Sequence, residues 1–200
     1  MFATLIKKTY PVEDIILRVL KDLMKEDIKI ENDTNYLIMY HAYNNIESIR
    51  LSLETLSNDL LFPLYAYTSL DLNERRIKEE VEIAKILLDN IPSGFYTLKE
   101  ALLKNQPINE KKQILDFILD GTGINEEFVI GFAEANLNVS LAAKLMFLHR
   151  NTMLYKLNKL KELTGFDLRE FKDTYILYGL LSGKWFLCIL HIWILILMNV

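Results

Sequence analysis

The stretch Leu141–Leu160, "LAAKLMFLHRNTMLYKLNKL", begins as an ordinary buried helix and then changes character. Two alanines and spaced leucines suit a packed helical face. Then "HRNT" at 149–152 breaks the apolar period, and lysines follow along a new helix. Such a chain stops packing and starts presenting amide, hydroxyl and ammonium groups to something outside itself.

Working outward, Asn138 is a good N-cap for a helix that runs to about Met146, and "FLH" turns the chain. The next helix is expected over Arg150–Thr164, with Gly165 as its stop. Upstream, a helix is expected over Glu126–Ala135, with Glu126 and Glu127 in the first turn where the helix dipole favours them. A short helix, a tight turn and a longer helix make the helix-turn-helix plan, and Ala142 and Ala143 would let its helices cross closely. At about 100° per residue, Met153, Leu157, Leu160 and Thr164 share one side of the last helix. Asn151, Tyr155, Asn158, Lys159 and Glu162 share the other, flanked by Thr152 and Lys156. These groups suit base edges and phosphates. Arg150 and Asn151 lie in the first helical turn, where backbone N–H groups also meet phosphate oxygens.

At these residues a resemblance becomes specific. "AAKLMFLHRNTMLYKL" resembles the Fis-type helix-turn-helix, and residues 125–181 are similar to the C-terminal domain of the PucR/CdaR family of bacterial transcription regulators. The family's pattern falls on Ala143, Leu145, His149, Arg150, Asn151, Thr152, Tyr155, Lys156, Leu157, Gly165 and Leu168. The resemblance covers roughly the last third of the chain. It implies a cytoplasmic DNA-binding regulator that reads duplex DNA with the helix after His149. Arg150, Lys156 and Lys159 would neutralise phosphates; Asn151, Thr152 and Tyr155 would meet bases or backbone in the major groove, and His149 would start the helix or meet a phosphate. One such unit reads few base pairs, so a homodimer is expected, and a small-molecule effector fits the family. Two departures stand out. Many such turns have glycine where this chain has Phe147; a phenylalanine at positive φ is costly, so either the turn differs or Phe147 packs beneath it. Family members also usually carry a sensory domain and a degenerate cyclase-like domain, whereas the preceding region here is short and lacks "GGDEF".

That region reads as a small α+β domain, giving an α+β N-terminal domain followed by an all-α domain. "VEDIILRVLKDLMKE" has helical spacing, "DIKIENDTNYLIMYHAY" reads as two strands about an Asn32–Thr34 turn, and "NNIESIRLSLETLSNDL" returns to helix behind Asn44 or Asn45. "LLFPLYAYTSL" leans to strand, with Pro63 only at its start or on an edge, and "NERRIKEEVEIAKILLDN" is an amphipathic helix. "NIPSG" at 90–94 is the expected boundary, placing domains at 1–92 and 93–183 with an apolar tail at 184–200. Beyond that boundary, "FYTLKEALLKN" and "NEKKQILDFILD" are expected as helices.

Composition narrows the alternatives. The net charge of −4 argues against a wholly basic surface but leaves room for a local basic face. The one cysteine, Cys188, excludes an intramolecular disulfide and a cysteine-rich zinc site, and no cofactor or metal is expected. "MFATLIKKTYPVED" lacks the pattern of a secretory signal. "GLLSGKW" at 179–185 lacks the spacing and the Ser/Thr of a P-loop, and "GTGIN" lacks the third glycine of a dinucleotide turn, so no enzyme is expected. The tail Trp185–Val200 carries no formal charge beyond a possible His191 and is expected to bury itself in protein. As a helix it would span about 24 Å, short of the roughly 30 Å hydrocarbon core of a bilayer. The alternative is a sensor or protein-interaction module that keeps the fold without binding DNA, held at a membrane through that tail.

Overall fold

The computed structural model describes all residues except 10, 26, 71–72, 105–108 and 183–200, so expectations about the tail lie outside the described residues. The chain divides into two compact units, Met1–Asn105 and Gln106–Val200.

The first unit is built on a five-stranded sheet in the order β2-β3-β1-β4-β5. Its strands are β1 (Phe2–Lys7), β2 (Lys29–Asn32), β3 (Tyr36–His41), β4 (Tyr65–Thr68) and β5 (Gly94–Tyr96). The β2–β3 hairpin about residues 33–35 and the strand after Pro63 agree with the sequence reading. The central strand β1 is an addition to it. "FATLIK" shows no alternation because it is buried on both faces, and it pairs antiparallel with β3 and β4.

Helices α1 (Glu13–Met24) and α2 (Ile46–Leu60) cover one face. Ile16 and Leu20 of α1 and Ile49 and Leu53 of α2 pack with Ile6, Leu37, Met39, Ala66 and Phe95. Asn45 caps α2 by accepting from the Ser48 N–H at 3.0 Å, which satisfies one of the donors left free at a helix start. Helix α3 (Glu74–Leu88) packs on β1 and β4, and Tyr67 of β4 reaches it by donating to Glu80.

The first unit continues past "NIPSG" to Asn105, a correction to the expected boundary. Phe95 and Tyr96, expected in a helix, form β5, which joins β4 in the sheet's one parallel pair; α4 (Leu98–Lys104) follows. The fastening is chemical. Arg50 on α2 grips both carboxylate oxygens of Glu100 at 2.8 and 2.9 Å, donates to the Phe95 carbonyl at 3.0 Å, and stacks its guanidinium over the Phe95 ring. Both bonds to Glu100 come from the one Nη2 nitrogen, and hydrogen bonds between charged groups are among the strong ones. Sequence periodicity carries no signal for an ion pair that joins residues fifty apart.

The second unit is helical: α5 (Lys111–Leu119), α6 (Glu126–Glu134), α7 (Val139–Leu145), α8 (Arg150–Thr164) and α9 (Phe171–Ser182). Its core is formed by Ile114, Ile118, Phe132, Leu157, Leu160, Phe166, Ile176 and Leu177, all nearly or fully buried. Gly179–Ser182, the start of the P-loop-like string, lies inside α9.

Candidate nucleic-acid interface

Three helices with two short connections carry the candidate site, and each begins at a side-chain cap. Asn125 accepts from the Phe128 N–H at 3.0 Å, and Asn138 from those of Ser140 and Leu141 at 3.0 Å. His149 Nδ1 accepts from the Asn151 N–H at 3.2 Å. The α7 and α8 boundaries fall within a residue of the sequence expectation, since caps and stops are local chemistry. Helix α7 packs on α6 and α8, with Ala142 and Ala143 buried. Gly131 admits the thioether of Met146 to the α6 surface; a β-carbon there would lie 2.6 Å from Met146 Cε.

The connection from α7 to α8 is a Schellman stop. The Phe147 N–H donates to the Lys144 carbonyl at 3.3 Å and the Leu148 N–H to the Ala143 carbonyl at 2.8 Å, closing the last turn of α7. The residue between those bonds must be left-handed, and Phe147 has φ +54. Neither sequence alternative for Phe147 holds. The turn keeps the form that glycine usually occupies, and the phenylalanine does not pack beneath it, being 97% exposed. The two backbone bonds fix the conformation whatever the side chain.

Helix α8 buries Met153, Leu157, Leu160 and Thr164, the expected side. Arg150, Asn151, Thr152 and Tyr155 are exposed on it, and Lys159 is half-buried. His149 has a double use. Its ring nitrogen that accepts from Asn151 carries no proton, so the neutral ring holds its proton on Nε2 and can donate outward. Lys156 stands apart from the other site candidates. Its ammonium donates to the Gly123 carbonyl and sits 5.8 Å over the Phe128 ring, tying α8 to the loop before α6. The ring face attracts the cation as the carbonyl does.

A charge pattern along the chain adds what side-chain geometry leaves implicit. From residue 135 to 161 there is no Asp or Glu, while Lys144, Arg150, Lys156, Lys159 and Lys161 all fall in this stretch of a chain whose net charge is −4. Lys161 pairs with Asp167 at 3.2 Å. Among the described residues no ion pair engages Lys144, Arg150 or Lys159; Lys144 and Arg150 are exposed and Lys159 is half-buried.

Gly165 stops α8 as expected, and residues beyond it that spacing missed hold that end of the helix. Gly165, with φ +74, donates its N–H to the Lys161 carbonyl at 2.9 Å and turns the chain. The Asp167 carboxylate then accepts two bonds from the Arg169 guanidinium at 2.7 and 2.9 Å. Burial alone would push this carboxyl up, but Arg169 and Lys161 hold it down at about 2. The Asp167 N–H donates to Asp173 at 2.7 Å, and Thr174 Oγ1 donates to the Leu168 carbonyl at 2.6 Å, seating the start of α9. The sequence signal was present in "TGFDLREFKDT" but reads as an ordinary polar loop without the fold. Among the described residues no group of His, Cys, Asp and Glu could hold a metal ion, and no helix is long and apolar enough to cross a membrane.

Geometry of this kind defines a helix-turn-helix domain. Residues 127–181 match the PucR C-terminal helix-turn-helix domain, in agreement with the PucR/CdaR resemblance of this part of the chain. A segment of 60 residues is 37% identical to the carbohydrate diacid regulator of Escherichia coli (strain K12), covering 30% of this chain and 16% of that protein. Another of 47 residues is 40% identical to the uncharacterized protein YxkF of Bacillus subtilis (strain 168), covering 24% of this chain and 16% of that one. The match thus spans about a sixth of the length of either relative. The crystal structure of a regulator of polyketide synthase expression from Bifidobacterium adolescentis is similar at 17% identity and a TM-score of 0.45, over 92% of this chain and 78% of that one.

Proposed function

We propose that the chain is a sequence-specific DNA-binding transcriptional regulator that acts as a homodimer in the cytoplasm. The observation that carries this reading is the exposed first turn of α8, where Arg150, Asn151 and Thr152 follow the His149 cap in a stretch without carboxylates. The match of residues 127–181 to the PucR helix-turn-helix domain supports it. Arg150 and Lys159 neutralise phosphates; His149 donates from Nε2 to a phosphate oxygen; Asn151, Thr152 and Tyr155 meet base edges or sugar in the major groove. Lys156 holds α8 in place. The sheet unit is a regulatory domain, and an effector acting there is part of this reading.

Duplex binding by the full chain across a salt series tests it. Arg150→Ala and Lys159→Ala should each lower the slope of log K against log[salt] by roughly 0.9 while leaving the fold intact. Lys156→Ala should leave that slope unchanged and lower the melting temperature. Asn151→Ala should relax preference among sequences by about 1–3 kcal/mol. Unchanged slopes in both phosphate variants would place the DNA contact on another surface.

A further inference from the structure

Phe147 combines a left-handed backbone, φ +54, with a ring that the fold leaves uncovered. A left-handed conformation brings the β-carbon against the following carbonyl, a strain that glycine escapes. A buried phenylalanine would offset that strain by packing, yet Phe147 is 97% exposed. Its surroundings on the chain narrow what the ring is for. It sits three residues before Arg150, at the mouth of the first turn of α8, with the exposed Lys144 on its other side. A surface that couples one large apolar ring to flanking cations, with no acid in reach along 135–161, suits a polyanion that also has apolar edges. Duplex DNA offers both in its phosphates, its deoxyribose carbons and the thymine C5-methyl groups of the major groove.

We infer that Phe147 is a DNA-contacting residue, its ring laid against an apolar edge of the duplex when α8 enters the major groove; this rests on the DNA-binding reading above. Leu61 shows why position, and not strain, supports the assignment. It stops α2 with φ +53 and is 87% exposed, the same backbone arrangement. No Lys or Arg lies between Arg50 and Arg75, so nothing near Leu61 in the sequence would draw a polyanion. Leu61 is therefore the matched control.

Sites selected from random duplex by the full-length wild type provide the probe, read by titration and by thermal melts of wild type, Phe147→Gly, Phe147→Leu and Leu61→Gly. Both glycine variants should melt a few degrees higher, because each relieves one left-handed side chain. Phe147→Gly alone should lose affinity, on the order of tenfold for an apolar side chain that becomes covered on binding, and Phe147→Leu should keep most of it. Replacing thymines of the site by uracil removes the methyl groups. A wild-type loss of about fourfold at one position, absent in Phe147→Gly, identifies a thymine methyl as the partner. Uracil-insensitive binding together with the Phe147→Gly loss identifies deoxyribose. Equal affinity of Phe147→Gly and wild type would overturn the inference, as would a lower melting temperature in Phe147→Gly, which would mean that the ring packs in the fold. A sedimentation shift from dimer to monomer that accounts for the whole affinity loss would also overturn it and assign the ring to a second copy of the chain. Absence of any wild-type binding would fall on the DNA-binding reading itself and take this inference with it.

Discussion

The two units treat polar side chains in opposite ways. In the sheet unit they close on one another. Thr4 Oγ1 lies 2.9 Å from both His41 Nε2 and Thr68 Oγ1, Ser69 Oγ accepts from the Ala3 N–H at 2.8 Å, and Tyr67 donates to Glu80, all of these residues buried. On α8 the polar groups around Arg150 and Asn151 are left open to solvent. The second unit has its own closed circuit, but it stands at the far end of α8, around Asp167 and Arg169. A histidine or tyrosine is thus no guide to function by type alone: His41 completes a fold, whereas His149 caps a helix and keeps a donor outward. The distinction is whether the hydrogen bonds end inside the protein.

The contrast can be broken most directly at Glu80. Burial raises its carboxyl from 4.5 to about 7, opposed by the Tyr67 and Leu70 donors, and its Oε2 atom has no hydrogen-bond partner. A folded value above the unfolded one means that stability is full below about pH 4.5 and is lost as pH rises through 7. Glu80→Gln should therefore stabilise the protein at pH 8, by up to ~3 kcal/mol, with the gain closing towards about pH 4.5. Urea midpoints at the two pH values decide it; a gain independent of pH would mean that Glu80 is not buried as a neutral acid.

Asp167 should give the opposite sign. Its folded value, about 2, lies below the ordinary 3.8, so its contribution is present above pH 3.8 and lost as pH falls through 2. Asp167→Asn should cost about 2–3 kcal/mol at neutral pH, a difference that closes as pH falls below about 2. Acid titration of melting temperature in both proteins reads the difference. An unchanged neutral-pH melt would show that the end of α8 is held without this clamp.

A smaller effect tests the packing beneath the open surface. Ala143 is 3% exposed and α7 packs on α8. Ala143→Leu should therefore cost about 1–3 kcal/mol through overpacking. DNA affinity should fall with it only as far as the fold loosens. A wild-type melt would mean that the interface has room for the larger side chain, and the close crossing would need redrawing.

How far the sequence could be read follows from the range of the interactions. Asn125, Asn138, His149 and Gly165 act on neighbours a few residues away, so α6, α7 and α8 could be placed from letters alone. The apolar side of α8 followed from its helical period, and the polar side by subtraction. The hairpin strands showed because their turn is local. By contrast, β1 gave no alternation to detect, and β5 is three residues whose identity depends on a parallel neighbour almost thirty positions earlier.

Where helices start and stop in the second unit, which side of α8 is apolar, and which polar types it offers were all legible in the letters. Those depend on hydrogen bonds within one or two turns and on the pitch of a helix. The three-dimensional fold was needed to show that Lys156 turns to Gly123 and Phe128, that Arg50 binds Glu100 within a first unit that runs to Asn105, that Asp167 is clamped by Arg169, and that Phe147 remains bare. Each of those outcomes turns on burial or on where a side chain's reach ends, and a lysine's charge is the same letter whether it meets a carbonyl or water.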